Sequence, residues 1–265
     1  MSIHFNRRES QELCEDIARE QQGLSPSSDS YEFKSLILDN KHIPQLLSCC
    51  YRDAVGYYYN AIVSFAQGLY SFTKKNYSWS TVQLYYSVFY SCRAILGFDK
   101  FVIIRKGNLF RIKVAEKENT QIMKSRNDHK AIIDFYIKSY KNTDFLLSNN
   151  IDDCDFFTWI ANLREITHYK QNHFKEPNYL TCFDHIVTEL KSGKTIGSLL
   201  EHYSNDWQIY CFQEEFAAFI GPYRLITDVY DKYIKQTERI STAQHKYIEK
   251  IFKDIKWGDI VSSII

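Results

Sequence analysis

No stretch of the 265-residue chain is apolar for long enough to span a membrane as a helix. The opening residues, MSIHFNRRESQEL, are charged and lack the apolar core of a secretory signal, so a soluble, cytoplasmic protein with no membrane partner is expected. The seven cysteines are scattered, odd in number and without a C-x-x-C pair, which favours free thiols in a reducing compartment. Formal net charge is only +1, so any nucleic-acid contact requires a local patch. H-E-x-x-H, zinc-type Cys/His spacing, Walker A, G-x-G-x-x-G and G-x-S-x-G are all missing. His185 and Glu189 fit one helix face but find no further ligands in the sequence, so neither a metal nor a cofactor is expected. No cysteine is singled out as a nucleophile. Internal repeats, heptad runs and long disordered blocks are absent too.

The chain is rich in aromatics, with 20 Tyr and 18 Phe, which suits a large helical interior that keeps some polar tips. Residues 7–21 read as a short polar helix, and 23–30, with Pro26 and several serines, as a surface linker. Apolar residues from Leu46 to Phe72 hold helical spacing over 43–75, with Pro44 in the first turn and Gly56 and Gly68 as candidate bends. Ser78 or Ser80 can cap the next helix, WSTVQLYYSVFYSCRAILGF, whose apolar and small residues lie nearly all round and predict burial on several sides.

One segment reads as strand: 101–114, a hairpin around Lys106-Gly107-Asn108. Its Arg105, Lys106, Arg111 and Lys113 can meet phosphates, although a charged face of this kind is more often simply solvated. A polar connector, 116–128, precedes a third bundle helix capped by Asn127 or Asp128, with Ile132, Ile133, Phe135, Tyr136 and Tyr140 inward. After Pro177 come helical segments at 178–190 and 196–203, a long one from Trp207 or Tyr210 to Thr237, and an amphipathic end, 241–265, whose apolar tail 260–265 can dock on its own bundle or on a partner. The expected organisation is an N-terminal helix and linker (1–42), a helical core with its hairpin (43–175) and a C-terminal helical extension (176–265). The expected fold class is mainly all-α, an up-and-down bundle with an inserted β-hairpin.

The stretch from Asp152 to Phe174, DDCDFFTWIANLREITHYKQNHF, supplies the fourth core helix. Acidic residues open it, and Phe156, Trp159, Ile160, Leu163, Ile166 and Tyr169 recur at three- and four-residue steps, predicting a core-facing stripe. Arg164 and His168 stand one turn apart beside that stripe. Metal-independent RNA cleavage needs a base for the 2′-hydroxyl proton and a cation for the charged phosphorane, and histidine and arginine meet those needs near neutral pH. By spacing alone, an Arg164 ion-paired with an acidic neighbour and a His168 that is merely exposed fit better.

Three segments resemble the HEPN superfamily (higher eukaryotes and prokaryotes nucleotide-binding). LYYSVFYSCRAILG (84–97) is similar to its aromatic central helix, NDHKAIIDFY (127–136) to a helix opened by histidine, and LREITHYKQ (163–171) to the last core helix bearing an Arg-x4-6-His signature. The resemblance covers about half the chain, 43–174. It implies a homodimer with a composite ribonuclease site, Arg164 binding phosphate and His168 acting as base, and a 2′,3′-cyclic phosphate product formed without metal. Tyr169, Lys170, His129 and Arg126 are further candidate contributors, with helix-start polarity the favoured role for His129 and core packing for Tyr169. The chain departs from the signature in having three residues between Arg164 and His168, and Glu165 carries a charge that repels phosphate. The resemblance thus leaves two roles open: an endoribonuclease of toxin–antitoxin or antiviral defence systems, partnered by RNA and in some cases an antitoxin, and a non-catalytic subunit that binds RNA, a nucleotide or a protein.

Overall fold

A computed structural model describes residues 7–125, 127–170, 172–235, 240–257 and 264. Among these, ten α-helices accompany two small antiparallel sheets, so the fold is mainly all-α with an inserted hairpin and C-terminal helices. No described helix is long and apolar enough to cross a membrane. The chain forms two compact units, Met1–Tyr57 with Arg93–Ile132 and Tyr58–Cys92 with Ile133–Ile265. Helices α2 (Ile43–Thr73), α3 (Tyr77–Phe98) and α4 (Asp128–Tyr140) each contribute residues to both.

In the first unit, α1 (Glu9–Gln21) is more than a polar appendage. Its Cys14, Ile17 and Ala18 are buried in one core with Tyr31, Phe33, Leu36, Leu38, Leu46 and Cys50. The start of α1 is capped from α2: Asp53 accepts from the backbone N–H of Glu9 at 3.1 Å and of Ser10 at 3.0 Å, satisfying two otherwise orphaned donors. Glu15 is buried yet stays charged, because Arg7 and Gln11 bond to it and hold its carboxyl below the usual range against the cost of burial.

The predicted hairpin forms as β1 (Phe101–Lys106) and β2 (Asn108–Lys113), turning at Gly107, whose φ of 65° suits glycine. Its register pairs Val102 with Ile112 and Ile104 with Phe110, and this apolar face joins the core. The connector adds a third strand, β3 (Gln121–Ile122), which its two polar-flanked residues did not signal.

In the second unit, the part of α3 that lies there is buried nearly all round, including Ser80, Ser87 and Ser91. Phe72, Phe183 and Phe219 meet edge to face at 5.0–5.7 Å. A two-stranded ladder, β4 (Asn150–Ile151) with β5 (Cys154–Asp155), leads directly into α5 (Phe156–Glu165). The helices α6 (Asp184–Lys191) and α7 (Ile196–Asn205) follow.

The sequence predicts one long helix from 207 onward, but the chain breaks it into α8 (Trp207–Tyr210) and α9 (Glu214–Val229), followed by a π turn, Tyr230–Ile234. Glu214 and Glu215 sit in the first turn of α9, where the dipole favours carboxylates, so a new N-terminus begins there. The last helix is α10 (Thr242–Asp254), with Ser241 and Gln244 forming a capping box. Of the apolar tail, Ile264 is buried and its carbonyl accepts the Tyr58 hydroxyl at 2.5 Å, while its other residues lie outside the described ones.

Two glycines make opposite predictions. A Cβ on Gly221 would fall 2.2 Å from the ring atoms Cε2 and Cζ of fully buried Phe156, whereas one on Gly56, exposed on α2, would meet nothing within 4 Å. Gly221→Ala therefore destabilises by about 1–3 kcal/mol through overpacking. Gly56→Ala stabilises by about 0.5–1 kcal/mol through reduced backbone freedom in the unfolded chain. Urea unfolding of both variants checks this, and midpoints that move in the same direction would contradict it.

Candidate functional site

Helix α5 starts where Asp155 caps it, the Oδ1 atom accepting from Phe157 and Thr158 N–H, each at 3.0 Å. Phe156, Phe157, Trp159, Ile160 and Leu163 are then buried, as the apolar stripe predicts. After Glu165 the helix changes character: Ile166–Lys170 form a π turn, which inserts one residue per turn and moves the next inward position on by one. The predicted stripe fails at this point. Ile166 and Tyr169 are 37% and 64% exposed, while Thr167 takes the inward place at 4%.

The same shift decides how the candidate residues meet. On a regular helix Arg164 and His168 would face each other directly, but the π turn pairs positions five apart. Arg164 Nη2 donates to the Tyr169 hydroxyl at 3.0 Å, and its guanidinium carbon lies 4.9 Å from the Tyr169 ring centre and 5.1 Å from that of Tyr85. His168 stacks on Tyr169 with centroids 4.7 Å apart and planes 8° from parallel. Arg164 and His168 thus share Tyr169 as a common neighbour, and among the described residues no hydrogen bond or ion pair joins them to each other. Glu165 repeats the five-residue spacing with Lys170 at 3.8 Å, an exposed pair that blunts its charge only slightly.

Two exposed rings complete the cluster. Trp79, 49% exposed in the first turn of α3, lies edge-on to His168 at 5.8 Å and to Phe174 at 6.0 Å, and Phe174 is 44% exposed. The segment carrying Phe174 is tied down by Glu176, whose carboxylate accepts from the Ser78 N–H and hydroxyl, both at 2.7 Å. That carboxylate, rather than Ser78 or Ser80, occupies the positive start of α3, and the Ser80 hydroxyl donates to the Gly68 carbonyl. Arg164 Nε and the Thr167 hydroxyl are buried without a hydrogen-bond partner among the described residues. Beneath the cluster, burial pushes the Tyr85 phenol upward, the nearby Arg164 charge opposing it only in part, so Tyr85 is neutral at physiological pH.

The hairpin cations lie in the first unit, each with a local partner. Arg105 pairs with Asp128, Lys106 donates to the carbonyls of Asp29 and Tyr31, Arg111 bonds Gln121, and Lys113 lies 5.8 Å from the Phe101 ring centre. Burial also lowers the Arg111 pKa. Asn127 caps α4, accepting from the His129 N–H at 3.0 Å, and Arg126 lies outside the described residues. His185 bonds the Tyr203 hydroxyl and Glu189 pairs with Lys194. Among the described residues no group of three or more His, Cys, Asp or Glu side chains is placed to hold a metal.

Trp79, Tyr85 and Phe174 have no signature in the sequence that marks them for this site. No family model matches the chain, and no curated protein or solved structure matches it either.

All seven cysteines are free, six of them buried and Cys154 half-buried. Burial raises every thiol, Cys50, Cys182 and Cys211 to about 12, which leaves no activated thiolate. Titration of the native protein with a chromogenic disulfide at neutral pH should therefore release at most about one equivalent within minutes, against all seven in denaturant. Rapid release of two or more from the native chain would contradict this.

Proposed function

We propose that the chain is a divergent HEPN-type, metal-independent endoribonuclease that acts as a homodimer, of the kind used in prokaryotic toxin–antitoxin or antiviral defence. The observation that carries this reading is the Arg164–Tyr169–His168 cluster: a permanent cation whose Nε has no hydrogen-bond partner among the described residues, and an imidazole, gathered around one exposed ring. In this reading His168 takes the proton from a ribose 2′-hydroxyl and the 2′-oxygen attacks the neighbouring phosphorus. The bond to the 5′-oxygen breaks, and that oxygen leaves with a proton from the imidazolium or from water. Arg164 stabilises the added charge on the phosphorane. The products are a 2′,3′-cyclic phosphate and a 5′-hydroxyl, and no step requires a metal. Tyr169 keeps both residues in place, and Lys170 adds a phosphate contact at the rim.

One observation favours the second reading, a non-catalytic subunit that binds RNA, a nucleotide or a protein. Tyr169 already occupies one nitrogen of Arg164 and one face of His168, so both side chains also make sense as parts of a fixed binding surface. Incubation with total RNA and tRNA in EDTA separates the two. The first reading expects cleavage that survives chelation, leaves cyclic phosphate ends, and falls by roughly 10²–10⁴-fold in His168→Ala and by roughly 10²–10³-fold in Arg164→Ala. Intact RNA, or variants that cut as well as the parent, would remove the enzyme reading. A monomer by sedimentation at micromolar concentration would remove the composite site.

A further inference from the structure

A second feature of the Tyr58–Cys92 and Ile133–Ile265 unit has no part in that chemistry. A groove of ≈ 480 Å³ is walled by the rings of Trp207, Tyr223 and Tyr230 and carries the charged groups Arg224, Asp231 and Lys235. Its size falls within the range of small-molecule sites, about 300–1,000 Å³. Tyr230 and Asp231 come from the second π turn, Tyr230–Ile234, and turns of this rare kind recur at functional positions.

Arg224 gives the groove its chemistry. Its guanidinium lies 4.0 Å over the Trp207 ring, which shields one face from water. Nε donates to Asp228 Oδ2 at 3.0 Å and Nη2 pairs with Oδ1, leaving Nη1 without a partner among the described residues. Asp228 itself is pushed up to about 6, burial outweighing the nearby guanidinium. Lys235 contributes a second cation, held only at 3.8 Å from Asp231 in an exposed pair. The lining therefore has two cations and one carboxylate, an arginine whose Nη1 has no partner among the described residues, and three rings.

We propose that this groove binds a small organic anion built on a planar ring, the ring lying against the aromatic wall and the anionic group meeting Arg224 and Lys235. The site does not depend on the ribonuclease reading. A ring-bearing carboxylate and a ring-bearing phosphate share this chemistry, and the test distinguishes them. Calorimetric titration of the full chain would use indole-3-acetate and adenosine 5′-monophosphate as probes, with tryptamine and adenosine as controls that keep each ring and lose the negative charge. At least one anion is expected to saturate the protein, binding tighter than its control by about tenfold or more, as befits a charge-assisted contact to arginine. Whichever anion binds identifies the carboxylate or the phosphate class.

Lys235→Ala, at an exposed position, should weaken that binding several-fold without disturbing the fold. The double substitution Arg224→Leu, Asp228→Leu removes the pair without leaving either charge unpaired and should abolish it. If neither anion saturates at millimolar concentration, if the controls bind equally well, or if Lys235→Ala binds as the parent does, the proposal is wrong.

Discussion

One extra residue in the turn after Glu165 decides what the last core helix presents to solvent. Had Phe156–Lys170 stayed a regular α-helix, Ile166 and Tyr169 would have continued the buried stripe, and Arg164 and His168 would have faced each other one turn apart. Because Ile166–Lys170 closes as a π turn, Thr167 goes inward and Tyr169 outward, carrying its ring between the two candidate residues. The arginine, the imidazole, Trp79 and Phe174 are neighbours through that register change. A buried hydroxyl on Thr167 and a buried Arg164 Nε, both without a hydrogen-bond partner among the described residues, are what this arrangement costs in unmade hydrogen bonds.

The surroundings hold the turn open at both ends. Upstream, Asp155 and five buried apolar residues fix the axis and rotation of α5. Downstream, the grip of Glu176 on Ser78 returns the chain to the start of α3, which brings Phe174 beside Trp79. The second π turn, after Val229, plays a similar part in the same unit: it extends α9 and supplies Tyr230 and Asp231 to the groove that Arg224 lines. In both places a helix that begins with regular burial ends by exposing polar and aromatic groups.

Much of the fold is legible in the residues. Spacing alone places α2, α3, α4 and α5, the hairpin turn at Gly107 and its buried face, because burial at a fixed period leaves a direct trace in sequence. The losses have physical causes. A π turn uses the same residue types as an α-helix, so nothing in ITHYK announces that Thr167 replaces Ile166 as the buried residue. Strand β3 is too short to alternate, and the break before α9 is written only in two glutamates. Tertiary partners are the least visible: Asp53 capping α1, Glu176 capping α3 and Asp128 holding Arg105 are distant in sequence and obey no local rule. The candidate pair was readable as residue types, but its connection through Tyr169, and the rings of Trp79 and Phe174 around it, required three-dimensional packing.

The most direct measurement of this account is the proton NMR spectrum of the His168 ring, assigned by comparison with His168→Gln, in the parent chain and in Tyr169→Leu. A near-parallel ring at 4.7 Å exerts a strong ring current, so the His168 carbon-bound ring protons should lie upfield of free histidine and move back towards it when Tyr169 is replaced. Shifts of free histidine in the parent, unchanged by the substitution, would mean that the π turn does not bring His168 onto Tyr169, and the proposed site would lose its basis.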